Sequence, residues 1–127
     1  MAHIFLSQLK TVLNNYIDEL EQIHFLFSRN PETDFTRKRK LTFKEYIQFM
    51  LLMQGKTVSN EILDFFSHSL SAPSKSAFTQ QRYKLLPEGW DFLFHSFVTQ
   101  CRSLSDDLYC GYRLLACDGS DVNIARN

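Results

Sequence analysis

The segment Phe43-Lys-Glu-Tyr-Ile-Gln-Phe-Met-Leu-Leu-Met53 constrains the fold of this chain more than any other stretch. At helical spacing its apolar side chains cover most of the circumference, so no broad face is left for water. Such a helix is stable only when other elements surround it. It therefore predicts a central helix with the rest of the chain packed around it. Thr42-x-x-Glu45 supplies a capping box at its start, and Gly55 ends it. Twelve Phe and an apolar fraction of 44% supply enough bulk for a packed core.

The flanking segments also read as helices. Over residues 3–28, Leu9, Val12, Leu13, Tyr16, Leu20, Ile23 and Phe27 recur at spacings of three and four, with Lys10, Asn14, Asp18 and Glu21 on the other side. This seam approximates a heptad repeat and would allow a homodimeric coiled coil. Its short length favours docking within the chain instead. Residues 30–36 form a turn, and the basic run Arg37, Lys38, Arg39, Lys40 follows. A helix over 60–69, capped by Thr57 or Ser59, turns Ile62, Leu63, Phe65 and Phe66 inward. After a break at 70–74, Ser74 caps a polar helix over 75–85. Pro87 opens a last helix to about Ser103, carrying Trp90, Leu93, Phe94, Phe97 and Val98. Residues 106–108 read as a loop and 109–117 as a buried strand ended by Gly-Ser.

The expected class is therefore mainly α: a five-helix region over 1–104, then one strand within 105–127. A lone strand cannot satisfy its own backbone groups, so it calls for sheet partners from outside this chain.

The net charge of zero hides a segregation. Residues 1–36 hold two basic and five acidic side chains, 37–84 hold nine and three, and 85–127 hold three and six. A basic middle between acidic flanks points to a face for a polyanion. Three cysteines without C-x-x-C spacing argue against a disulfide framework or a zinc site. No stretch reaches the ~18 apolar residues of a membrane span, and the amino terminus lacks a signal-peptide pattern. The expectation is a cytoplasmic protein with no membrane partner.

Two features could carry chemistry. Residues 60–85 have the outline of a helix-turn-helix, an apolar helix followed by a polar one that could lie in a DNA major groove. On the second helix, Lys75, Ser76, Thr79, Gln80, Arg82 and Lys84 are the side chains DNA contacts require. Gln and Arg can pair with base edges, and Ser, Thr and Lys with phosphates. Ala77, Phe78, Gln81, Leu85 and Leu86 would hold that helix to the core. Residues 37–40 would add salt-sensitive phosphate contacts. The other feature is Asp118, an acid at the end of the expected strand. A carboxylate so placed is a candidate Mg²⁺ ligand for phosphoryl transfer, although Asp-Gly is also an ordinary turn pair.

Leu41-Thr-Phe-Lys-Glu-Tyr-Ile47, Ser74-Lys-Ser-Ala-Phe-Thr-Gln-Gln-Arg-Tyr-Lys84 and Tyr112-Arg-Leu-Leu-Ala-Cys-Asp-Gly-Ser120 together resemble bacterial insertion-sequence transposases of the Asp-Asp-Glu class. The nearest group is the "insertion sequence four"-like family, and the likeness is to its amino-terminal third. The resemblance implies a helical DNA-binding domain over 1–104, and over 105–127 the start of a truncated ribonuclease-H-like catalytic domain. It implies that Asp118 matches the first catalytic Asp, a ligand of Mg²⁺. It also implies a partner, the double-stranded terminal repeats of the element. The second Asp, the Glu and the later Tyr–Arg–Glu–Lys signature have no counterpart here, so catalysis would need residues this chain lacks. The alternative expectation is a stand-alone helix-turn-helix regulator derived from a truncated transposase, which occupies element ends without cutting them. A third is an interaction module that pairs through residues 3–28.

Overall fold

The structure, a computed structural model, describes residues 2–37, 39–104 and 109–112. Within them run five α-helices: α1 (Ala2–Gln22), α2 (Phe43–Leu52), α3 (Val58–Phe65), α4 (Lys75–Arg82) and α5 (Pro87–Leu104). A single 3₁₀ turn, His24–Phe27, follows α1. No β-strand occurs among the described residues, and the mainly helical class is as expected.

α2 is the central helix. Thr42 Oγ accepts from the Glu45 N–H at 3.2 Å, and Glu45 Oε2 accepts from the Thr42 N–H at 2.9 Å, so the capping box is complete. Phe43, Tyr46, Ile47 and Phe49 are buried along its length. α1 packs chiefly against α5 and also against α2. It buries Ile17 and Leu20, with Leu13 and Tyr16 against the same core. Its polar side is not all turned to solvent. Lys44 on α2 pairs with Asp18, and Gln48 Nε2 donates to Asn14 Oδ1 at 3.2 Å.

Two helices end earlier than their periodicity predicts, α1 giving way first to the 3₁₀ turn His24–Phe27, and the segments beyond them meet in one contact. The Arg29 N–H donates to the Lys84 carbonyl and the Leu86 N–H to the Phe27 carbonyl, each at 2.8 Å. This antiparallel bridge between Ser28 and Leu85 needs extended backbone on both sides. The first helix stops at Gln22, not 28, and the fourth at Arg82, not 85. Gly89 lies against the bridge. A Cβ there would meet Leu85 Cδ1 at 2.9 Å and Phe27 Cβ at 3.2 Å, so the missing side chain lets α5 approach.

α3 is also shorter than the expected 60–69. Thr57 is its cap, and beyond Phe65 the chain turns through left-handed Ser67 (φ 50°) and His68 (φ 56°). The His68 N–H reaches the Leu63 carbonyl at 2.7 Å and the Ser67 N–H reaches that of Asp64 at 3.1 Å. Those bonds are a Schellman closure, made here without the usual glycine. Ile62 is buried and Phe65 and Phe66 are half-buried, but Leu63 points outward at 41% exposure.

At 109–112 the expected strand is replaced by a reverse turn. Tyr109 and Tyr112 exchange two backbone bonds of 2.9 Å around Cys110 (φ 50°) and Gly111 (φ 82°). Two consecutive positive φ values are the signature of a tight hairpin turn, which Gly111 makes accessible. Residues 113–117 of that strand and the loop at 106–108 lie outside the described residues, as do Lys38 and Asp118. No helix among the described residues is long and apolar enough to cross a membrane.

Candidate nucleic-acid interface

α4 is oriented by one aromatic side chain. Ser74 Oγ accepts from the Ala77 N–H at 3.1 Å and starts the helix. One turn on, Phe78 is buried between α2 rings, its centroid 4.8 Å from Phe49 and 6.1 Å from Tyr46. With Phe78 and Gln81 turned inward, Lys75, Ser76, Thr79, Gln80 and Arg82 are left exposed. Thr79 Oγ donates to the Lys75 carbonyl at 2.9 Å, so the hydroxyl proton is committed and its lone pairs remain open. Lys75, Ser76, Thr79 and Gln80 line one shallow depression together with Tyr83. The sequence reasoning passed over Tyr83, although the spacing Lys75, Thr79, Tyr83 places all three on one helical stripe.

Lys84 does not join that face. It lies beyond the end of α4, pairs with the buried Asp34 at 3.7 Å and sits 5.8 Å from the centroid of the Phe35 ring. Asp34 is itself held in the 30–34 turn, where Oδ2 accepts from the Asn30 N–H at 2.9 Å.

The basic run meets α4. Arg37, Arg39 and Lys40 are exposed. Arg39 and Lys40 line one side of a groove of about 530 Å³, and Pro73, Ser74, Ala77 and Gln81 line the other. Arg39 and Gln81 also border a neighbouring cavity of about 180 Å³, which reaches Arg37, His24 and Lys84. Thus two features that the sequence presents 35 residues apart form adjoining walls.

The cations divide by their partners. Lys44, Lys56 and Lys84 each pair with a carboxylate: Asp18, Asp64 and Asp34 respectively. Arg37, Arg39, Lys40, Lys75 and Arg82 have no carboxylate partner among the described residues, and neither do Lys10 and Arg29, which lie outside this surface. Arg82 is still felt inside the core. Burial pushes the Tyr46 hydroxyl up to about 12, and the Arg82 charge opposes that shift without cancelling it.

The chain matches no family model, no curated protein and no solved structure.

No group of three or more His, Cys, Asp or Glu that could hold a metal ion occurs among the described residues. Asp118, the expected Mg²⁺ ligand, lies outside the described residues. Cys101 is half-buried and Cys110 exposed, both as free thiols, and burial raises the Cys101 thiol.

Proposed function

We propose that residues 1–104 are the DNA-binding region of a transposase of the Asp-Asp-Glu class, with α4 as the recognition helix of a helix-turn-helix pair. The observation that carries this reading is the gathering of unpaired cations. Arg37, Arg39 and Lys40 stand beside α4, which exposes Lys75 and Arg82. Cations kept free of carboxylates are available to displace counterions from a phosphate backbone. On the exposed side of the same helix, Ser76, Thr79 and Gln80 can accept or donate to phosphates and base edges. The α3–α4 connection over residues 66–74 is longer than the roughly three to four residues of a minimal helix-turn-helix turn. In this reading the extra length sets α4 beside the basic run.

Catalysis is assigned to Asp118 and Mg²⁺ by resemblance only, and one carboxylate cannot assemble a two-metal centre. DNA binding is therefore the activity to test. Fluorescence anisotropy with a duplex carrying element terminal repeats should show log Kd rising linearly with log salt. Arg82→Ala and Lys75→Ala should each weaken binding. Loss of one phosphate contact should also lower the salt slope by about one. No binding at low salt would exclude this function.

A further inference from the structure

Gln81 has an environment that its position in a polar helix does not explain. It is 95% buried by accessible surface, since only 5% remains exposed, yet its carboxamide has no hydrogen-bond partner among the described residues. A buried amide without a partner is costly, because its lost hydration is not replaced. It is nevertheless not sealed. The one side-chain polar atom closed off from solvent without a partner, among the described residues, is Tyr46 Oη. The Gln81 amide is therefore unpartnered and reachable, and what reaches it is the pair of hollows it borders. These are the groove beside Arg39 and Lys40 and the cavity beside Arg37 and Arg39.

The charges around that opening favour an anion. Lys84 is neutralised by Asp34, and Glu21 also lines the smaller cavity. Against that single carboxylate stand Arg37 and Arg39, with Lys40 in the adjoining groove, none of them paired among the described residues. Guanidinium groups and an amide donor bordering one hollow suit a tetrahedral oxyanion, which can accept from several donors at once.

We propose that the hollow between Arg39 and Gln81 is a seat for one phosphate group, held by the Arg37 and Arg39 guanidinium groups and by the Gln81 carboxamide N–H. If the DNA-binding function proposed above holds, the phosphate is one of the DNA backbone. Gln81 then sets the register of α4 on the duplex rather than reading bases. Free inorganic phosphate offers the same oxygens to the same donors.

The test uses the full chain, ¹⁵N-labelled, with the Gln81 side-chain amide signals assigned by their loss in Gln81→Leu. Sodium phosphate and sodium chloride are titrated at matched ionic strength, and a random-sequence duplex separately. The seat predicts a saturable shift of the Gln81 amide with phosphate and none with chloride. Arg39→Gln, an exposed substitution that leaves the core untouched, should weaken that phosphate binding about tenfold or more. If duplex DNA moves the same signals, the phosphate belongs to DNA. If phosphate moves them and the protein binds no DNA, the seat stands while the DNA-binding function fails. If DNA binds while the Gln81 signals stay fixed in both titrations, the seat is overturned and the DNA-binding function survives. An equal response to chloride and phosphate also overturns the seat.

Discussion

Tyr46 packs against Phe78 and Trp90 with ring centroids 6.1 and 6.2 Å away, and Arg82 lies close enough to act on its charge. Its hydroxyl is sealed in the core without a partner. Leaving such a group unsatisfied costs on the order of 1–3 kcal/mol, so Tyr46→Phe should stabilise the protein by about 1 kcal/mol. Thermal denaturation followed by circular dichroism should show Tm rising by several degrees. A fall in Tm would mean that the hydroxyl has a partner after all. The same residue fixes an alkaline dependence. The folded state holds the Tyr46 proton up to about 12, whereas an unfolded tyrosine loses it near 10. Between those values the folded form binds more protons, so stability falls as pH rises, by up to about 1.4 kcal/mol per unit. It is unaffected by this group below about pH 10. The difference between the wild-type and Tyr46→Phe urea curves should open across that window, and a constant difference would refute the assignment. The sequence marks Tyr46 as a position on an apolar helix and so foretells its burial. It carries no sign that the oxygen would lack a partner, because that depends on which rings surround it.

Among the elements, the helix caps were legible, and so were the ends of α2 and α5 to within a residue, but the ends of α1, α3 and α4 were not. Thr42, Thr57 and Ser74 cap α2, α3 and α4 through bonds to residues three positions on, a purely local chemistry. Past the ends of α1 and α4, Ser28 meets Leu85, a contact that no periodicity encodes. Glu61 is a similar case. It reads as a helical surface acid, but it is 6% exposed, and its Oε1 accepts from the Gln54 N–H at 2.8 Å and the Lys56 N–H at 2.9 Å. It thereby fixes the α2–α3 connection around Gly55, whose φ of 85° few other residues adopt readily. Glu61→Ala should cost about 2–3 kcal/mol in urea unfolding, since two backbone donors lose a charged acceptor. Glu61→Gln keeps the oxygen and loses the charge, so about half that cost is expected. Equal losses in both variants would show that packing, not the bonds, holds the connection. At the start of α4, Ser74→Ala should cost about 1 kcal/mol. It should also weaken DNA binding, because the first turn carries Lys75 and Ser76.

The candidate interface spans residues 37–83, but what holds those residues in place comes from the two ends of the helical region. α1 packs chiefly on α5, and the Ser28–Leu85 bridge sits against Gly89 at the start of α5. The helical class, the central position of α2 and the exposed face of α4 were all readable from apolar spacing. The meeting of the basic run with α4 was not, because it follows from the way the chain folds back. α4 therefore cannot be expected to work once α5 is removed. Loss of Leu93 alone from the core would cost on the order of 2–5 kcal/mol. Removing all of α5 would also expose the α1 residues packed on it, a further loss set against the mere 5–15 kcal/mol that typically separates folded from unfolded states. A chain ending at Leu86 should show no cooperative melt and no measurable DNA affinity. A chain ending at Leu104 should keep both, because Tyr109, Cys110, Gly111 and Tyr112 are all exposed and add nothing to the core. Circular dichroism melts and anisotropy on the two truncations decide the matter. A sharp transition in the shorter chain would show that α2, α3 and α4 form a core without α1–α5 packing. A lost transition in the longer one would show that residues 105–127 are part of the fold.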